Sequence, residues 1–177
     1  MRKLPESRAD VDIVLVFNYI WMWWDHPARQ YRRANGVTIL GKGATWVNNF
    51  PDQHHANGIN KRACTRHRFK RLARIFKCLR NELVRERKLV AGRVPSFLIE
   101  YLTYSIEDAH FLIETDDRYD RANHRVLGRV WELLDNPSWV STVTEINGIK
   151  FLFYVTQPWT VDDAKGFVAL ALAQLRT

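Results

Sequence analysis

The residues with the clearest chemical potential are the cations of a basic segment between Thr65 and Lys88. Between Arg66 and Arg80 no Asp or Glu interrupts the run Arg66, Arg68, Lys70, Arg71, Arg74, Lys77 and Arg80. Apolar residues recur in the same segment at the period of a helix buried on one side; they are Phe69, Leu72, Phe76, Leu79 and Leu83. On such a helix Lys70, Arg74 and Lys77 fall on one line beside the apolar stripe. The pattern predicts a row of cations facing a groove that suits a polyanion.

A row of cations on a helix is also compatible with a simple solvated face, and this is the ordinary interpretation of a charged stripe. Like charges four residues apart destabilise a helix by a few tenths of a kcal/mol, roughly, for each pair. No acid lies within the run to offset these charges. The sequence therefore favours an anionic partner over the solvated face.

A pair of acids near the start of the chain is the second candidate site. Asp10 and Asp12 flank the beginning of the apolar run Val11–Phe17, which is typical of a buried strand. Residues two apart on a strand point to the same face, so both carboxylates could bind one hard metal ion. The alternative is a pair of acids at a solvated strand entry.

Composition and charge limit the class of partner and the compartment. The chain has 177 residues, with 27 Lys and Arg against 19 Asp and Glu, giving a net charge of +8. Such a charge favours phosphate-bearing partners such as nucleotides, nucleic acid or an acidic membrane surface. Cys64 and Cys78 form no CxxC motif, and no apolar run is long enough to span a bilayer. These features, with a start that is not a signal peptide, predict a cytoplasmic protein that is not embedded in a membrane.

Short strands are predicted first. Gly36–Leu40 and Ala44–Val47 fit a hairpin around Gly41-Lys42-Gly43, and that loop lacks the spacing of a phosphate-binding loop. The segment Asn18–Gln30 is predicted to be a loop or a strand extension. Its tryptophans could stack on a base, or could belong to the core or to a partner interface.

Helices follow for the rest of the chain. A short helix after Asn49 is predicted to break near Gly58, and the basic helix is predicted to end at Gly92. Further helices are predicted after Pro95, over Asp117–Asp135 with an apolar inner face, and over Val161–Leu175 with Thr160 as N-cap. A hairpin or extended pair is predicted about Asn147-Gly148. The layout is α+β, with three to four short strands followed by a helical bundle.

Several segments together resemble one family, the cGAS/DncV-like nucleotidyltransferases, which are related to oligoadenylate synthetase within the polymerase-beta-like superfamily. The segments are Val11–Val14, Asn49–His54 with Asn57-Gly58, Arg68–Asn81, Pro95–Glu100, Glu145–Phe153 and Gln157–Thr160. The resemblance covers essentially the whole chain but only the later part of the family's sequence. It implies a remnant of the catalytic sheet over residues 1–52 and a helical C-terminal lobe over 53–177.

The resemblance also implies a metal site. The family holds two Mg²⁺ ions with a DxD pair and a third acid on a later strand, and a Gly-Ser motif precedes the pair. Asp12 corresponds to the third acid, because the hairpin and the Asn49–His54 turn follow it as they follow that strand. Asp10 makes the same segment resemble the DxD strand, which remains the alternative. One carboxylate cannot hold two metal ions, so the isolated chain is expected to be inactive.

The resemblance gives roles to residues of the helical lobe as well. Lys70 corresponds to a helix lysine that touches the donor triphosphate, Ser96 to its hydroxyl partner and Phe97 to an aromatic that stacks on the base. Without the resemblance, Ser96 would be a helix cap and Phe97 a core residue.

The implied function is metal-assisted synthesis of cyclic or linear oligonucleotide signals from nucleoside triphosphates, typically for antiphage defence. The alternatives are a non-catalytic module that binds nucleotides or RNA through the basic helix, and a truncated product with no function of its own. A second chain could complete the sheet.

Overall fold

The computed structural model describes residues 14–41, 45–112 and 119–175. Its class is α+β, as the sequence predicts. The strands are β1 (Phe17–Asp25), β2 (Gln30–Leu40) and β3 (Trp46–Asn49). The helices are α1 (Pro51–Cys64), α2 (Arg68–Arg85), α3 (Ser96–Tyr104), α4 (Tyr119–Leu134), α5 (Pro137–Thr142) and α6 (Val161–Gln174), with a 3₁₀ helix at Asp108–Phe111. The chain divides between Pro51 and Asp52 into two compact units.

In the described residues of the first unit, three strands form an antiparallel sheet in the order β1-β2-β3. In its register Trp21 lies opposite Ala34 in β2, and Leu40 lies opposite Trp46 in β3. The predicted hairpin is confirmed by this pairing of β2 with β3, which the Gly41 N–H closes by donating to the Thr45 carbonyl over 2.8 Å. Gly36 is required in β2, because a Cβ there would lie 2.5 Å from the Asn49 carbonyl oxygen.

The predicted buried strand Val11–Phe17 is wrong where the structure describes it. Residues 14–16 lie outside any strand, and Leu15 is 85% exposed. The first strand begins only at Phe17 and continues through the segment that was predicted as a loop or strand extension. An apolar run specifies a strand but not what covers it, so the prediction of burial had no independent support.

The tryptophans of β1 are not core residues. Trp21, Trp23 and Trp24 are each exposed over more than a third of their surface. Successive side chains of a strand point to opposite faces of its sheet, so both faces of β1 carry large exposed rings. Stacking on a base and contact with a partner are the interpretations that remain.

The second unit is a helical bundle organised around α2. Its predicted apolar stripe is confirmed, since Phe69, Leu72, Phe76, Leu79 and Leu83 are all buried. Helix α2 packs against α3 and α6, and α4 packs against α6, α5 and the 3₁₀ helix. The predicted inner face of α4 is also confirmed as part of the core; its residues are Val126, Leu127, Val130, Leu133 and Leu134. No helix within the described ranges has the length and apolar character needed to cross a bilayer.

Two helix ends differ from the prediction. Helix α1 runs through Gly58 without a break, since a helical glycine costs only about 1 kcal/mol relative to alanine. Helix α2 ends at Arg85, well before Gly92. There the Lys88 N–H donates to the Leu83 carbonyl over 2.9 Å and the Arg87 N–H donates to the Val84 carbonyl over 3.0 Å. This is a Schellman motif in which Arg87, at a φ of 58°, takes the left-handed position that glycine usually occupies.

The remaining boundaries follow the sequence closely. Helix α3 begins at Ser96, directly after Pro95, and α4 begins at Tyr119. The Thr160 hydroxyl accepts from the Asp163 N–H while the Asp163 carboxylate accepts from the Thr160 N–H, which completes a capping box at the start of α6. Thr144 and Phe151 pair as an isolated antiparallel bridge around the turn at Gly148, whose φ is 70°.

Two phenylalanines test the assignment of the core of the helical bundle. Replacing Phe76, which is 1% exposed, by Ala should lower the free energy of unfolding by about 3–5 kcal/mol because it leaves a cavity. Replacing Phe97, which is 61% exposed, should cost less than about 1 kcal/mol. Urea unfolding followed by circular dichroism measures both values, and equal losses would contradict the assignment of α2 as the central helix.

Candidate functional site

Two lysines of α2 meet one carboxylate of α3. The Lys70 ammonium donates to Oε1 of Glu100, and the Lys77 ammonium donates to Oε2 of the same side chain over 2.5 Å. The Glu100 side chain is 14% exposed, whereas those of Lys70 and Lys77 are 37% and 28% exposed. Both lysines therefore reach solvent while they hold a mostly buried carboxylate between them.

This cluster corrects one step of the sequence-based interpretation. The basic row was predicted to lack an acidic partner, but Glu100 supplies one from a helix that lies 30 residues from Lys70 and 23 from Lys77. A helical pattern shows which residues share a face and not what the neighbouring helix presents. Arg74, one turn after Lys70 on the same predicted line, is exposed.

Glu100 is ionised at neutral pH despite its environment. Burial alone would raise the pKa of this carboxyl group, because a low dielectric disfavours charge. The hydrogen bonds and charges of Lys70 and Lys77 outweigh burial, and the pKa lies below the ordinary value of 4.5. An ammonium group has three N–H donors, so one bond to Glu100 does not exhaust either lysine.

Arg80 and Ser96 extend the site by one helical turn. Arg80 follows Lys77 on α2, and its guanidinium donates to the Val94 carbonyl and to the Ser96 hydroxyl oxygen, the latter over 3.0 Å. Pro95 is the N-cap of α3, and no side chain caps this helix. The capping interpretation of Ser96 is therefore wrong: its exposed hydroxyl lies in the first turn of α3 beside a guanidinium.

Phe97 presents an exposed ring at the same end of α3, so its interpretation as a core residue is also wrong. The ring stacks on Tyr101 with centroids 6.2 Å apart and planes inclined by 28°. Tyr101 in turn lies 6.4 Å from the ring of Trp159, whose indole N–H donates to the Leu152 carbonyl over 2.9 Å. The exposed ring of Phe97 therefore packs on the buried ring of Tyr101, which in turn packs against the buried ring of Trp159.

Sequence reasoning missed several residues of this site. His54 of α1 packs edge-on against Tyr101 with ring centroids 5.8 Å apart, and burial lowers its pKa in spite of the nearby Glu100 charge. Burial also raises the pKa of Tyr101, and the charges of Glu145 and Glu100 add to that effect. Glu100 itself could have been identified, because it is the single acid in the otherwise apolar helix α3.

The metal ligands expected at Asp10 and Asp12 lie outside the described residues. Within the described ranges, no three or more His, Cys, Asp or Glu side chains are grouped so that they could hold a metal ion. The site on α2 and α3 combines two lysines and the Glu100 carboxylate with the Ser96 hydroxyl and the Phe97 ring. Cations and hydroxyls can bind phosphate, and an aromatic ring can stack on a base.

Comparison with known proteins identifies the family of the chain. The family model of the cGAS/DncV-like nucleotidyltransferase C-terminal helical domain matches residues 56–176. The chain belongs to the cGAS/DncV-like nucleotidyltransferases, and its relatives are cyclic nucleotide synthases of that family.

Individual relatives cover almost the whole chain. It is 31% identical over 169 residues to the cyclic dipyrimidine nucleotide synthase CdnE of Legionella pneumophila, a match over 96% of this chain and 54% of that protein. It is 29% identical to a cyclic dipurine nucleotide synthase of Elizabethkingia meningoseptica over 76% of this chain and 44% of that protein. The chain thus spans about half the length of the curated relatives it matches.

Solved structures show the same fold. That of Elizabethkingia meningoseptica CdnE with GTP and Apcpp superposes with a TM-score of 0.75, over 90% of this chain and 56% of that one, at 24% identity. Rhodothermus marinus CdnE c-UMP-AMP synthase, solved with Apcpp and Upnpp, gives a TM-score of 0.72 over 90% of this chain and 52% of that one, also at 24% identity.

The lowered pKa of Glu100 predicts an acid-sensitive contribution to stability. A carboxyl group whose pKa is depressed on folding stabilises the protein above its unfolded pKa, and loses that effect as pH falls through the folded pKa. Glu100→Gln should therefore cost about 1–2 kcal/mol of unfolding free energy at pH 7. The difference from wild type should shrink as the pH falls below the ordinary pKa of 4.5 and through the lower pKa of the folded protein.

Urea unfolding at a series of pH values measures this difference. Glu82→Gln is the matched control, since Glu82 lies on α2 and pairs at the surface with Arg85 over 2.8 Å. A wild-type advantage that stayed constant down to pH 3 would show that the Glu100 charge does not provide it.

Proposed function

We propose that the helical unit of this chain binds the triphosphate and base of a nucleoside triphosphate, as one lobe of the nucleotide cleft of a cyclic nucleotide synthase. The observation that carries the proposal is the grouping of two lysines, a hydroxyl and an exposed ring where α2 meets α3. Two structural relatives were solved with nucleoside triphosphates or their analogues, which supports this class of ligand.

The chemistry of each residue fits a separate part of such a ligand. The ammonium groups of Lys70 and Lys77 would donate to phosphate oxygens through the N–H bonds that Glu100 does not use, and the exposed Arg74 would add charge at the rim. The Ser96 hydroxyl would contact a phosphate beside the N-terminus of α3, where anions are favoured. The exposed face of Phe97 would stack on the base. Stacking on an aromatic ring tolerates every base, so base preference would be set by other contacts.

The reaction proposed for the complete enzyme is attack of a ribose hydroxyl on an α-phosphate, which forms cyclic or linear oligonucleotide signals used in antiphage defence in the cytoplasm. Asp12, with Asp10 as the alternative, is proposed as a magnesium ligand on the sequence resemblance alone. A second chain that completes the sheet also remains a proposal. In this scheme the helical unit holds and orients the triphosphate.

Loss of the Lys70 ammonium tests the binding site. Lys70→Ala removes a charge-assisted hydrogen bond, so the Kd for a nucleoside triphosphate should rise about 10- to 100-fold. Fluorescence anisotropy with each of the four labelled triphosphates measures it, at two salt concentrations because screening weakens such contacts. Arg85→Ala is the control, since Arg85 ends the same helix, is 75% exposed and should matter less than about twofold.

An unchanged Kd for the nucleoside triphosphate in Lys70→Ala would contradict the proposed triphosphate site. Binding of labelled single-stranded RNA that displaced the nucleotide and depended equally on Lys70, Arg74 and Arg85 would instead favour the non-catalytic module.

The 177-residue chain by itself is expected to form no product. If Asp12 is the third acid of the family, as the resemblance implies, two metal ions need more carboxylates than this site provides. Incubation with radiolabelled ATP, GTP, CTP and UTP and Mg²⁺, followed by thin-layer chromatography, should show unreacted triphosphates. A labelled cyclic product that disappears in Asp12→Asn would contradict this expectation.

A further inference from the structure

We infer that Glu100 is a positioning residue for triphosphate binding: its carboxylate fixes Lys70 and Lys77 so that both ammonium groups face one ligand. This inference rests on the proposed function of the site. It assigns a role to an acid that, by its charge alone, would weaken the binding of an anion. The geometry of the two lysines explains why the acid is there.

Lys70 and Lys77 need a residue that holds them together, because they are far apart on the helix and their side chains are long. Lys77 lies seven positions after Lys70, so their Cα atoms are about 10.5 Å apart along the helix axis. The backbone therefore does not bring the two ammonium groups together. Each side chain is long and flexible, and two cations that share a groove repel each other. Glu100 uses one carboxylate oxygen for each lysine and draws both ammonium groups toward the same point. The cluster keeps a net charge of +1, because two cations meet one anion.

The Glu100 side chain is itself held in place by its surroundings. Glu100 lies in α3 between two buried residues, Ile99 and Tyr101, and its own side chain is mostly buried. Four residues earlier on α3 stands Ser96, which Arg80 contacts one turn after Lys77 on α2. Lysines, carboxylate and hydroxyl thus lie in successive turns of two packed helices.

Positioning and plain electrostatics make opposite predictions for Glu100→Gln. Amide replacement removes one negative charge from a cationic site, so electrostatics alone would tighten triphosphate binding. If the carboxylate fixes the lysines, binding should weaken instead, by about tenfold, because two charge-assisted contacts lose their orientation. The loss should be larger for ATP than for AMP, because the triphosphate offers more phosphate oxygens and more negative charge to the two lysines.

The experiment measures the Kd of ATP and AMP by calorimetry for wild type, Glu100→Gln, Glu100→Asp and Lys70→Ala. Glu82→Gln is the matched control on α2 and should bind like wild type. We expect Glu100→Asp to recover part of the lost ATP affinity, because it keeps the charge on a shorter side chain. Thermal unfolding of every variant establishes that it is folded at the temperature of the binding measurement.

The outcomes separate the two levels of the proposal. If ATP binds and Lys70→Ala weakens it, while Glu100→Gln binds ATP as well as or better than wild type, the positioning role is overturned and the triphosphate site stands. If Glu100→Gln weakens ATP and AMP equally, the residue is structural only, and the inference is overturned too. If Lys70→Ala leaves ATP binding unchanged, both the proposed function and the inference fail.

Discussion

The buried side of α2 is the constraint on which the rest of the helical unit depends. Five large apolar side chains of this helix are removed from water, so its rotation about its own axis is fixed. Burial at about 25 cal/mol per Å² makes any other rotation costly, because it would expose these side chains and bury arginines. With the rotation fixed, Lys70 and Lys77 can only emerge at the margin of the core, where α3 passes. Packing therefore determines where the two lysines lie, and their ion pairs with Glu100 only align the ammonium groups.

The ends of the helices reinforce this placement with charged residues in uncommon backbone conformations. Arg66 and His67, between α1 and α2, have φ values of 48° and 68°. The His67 N–H donates to the Arg62 carbonyl over 2.8 Å and the Arg66 N–H donates to the Ala63 carbonyl over 3.0 Å, so α1 also ends in a Schellman motif. Buried Thr65 joins the two helices, since its hydroxyl donates to the Lys61 carbonyl and accepts from the Phe69 N–H. These bonds satisfy the open ends of the helices without glycine.

Sequence reasoning succeeded wherever one local rule decided the structure. The helical period located α2 and α4, and Thr160 as N-cap located the start of α6. It failed where a contact distant in sequence decided. Nothing local reveals that Glu100 closes the gap between two lysines. The end of α2 was missed for a local reason, because Arg87 takes the left-handed position for which a glycine was expected. It also failed for the apolar run before β1, because a continuous apolar run predicts a buried strand but does not show what would cover it.

Stability and ligand binding draw on the same charges in this site. A mostly buried carboxylate is costly without partners, so Glu100 needs the two lysines for the fold itself. An anionic ligand would compete for the same ammonium groups, yet it need not displace Glu100, because each ammonium has donors to spare. Had the carboxylate been exposed, water would have screened it and it could not have held the lysines firmly. Partial burial therefore serves both purposes: it strengthens the attraction to the lysines, and it leaves both lysine side chains partly exposed to solvent.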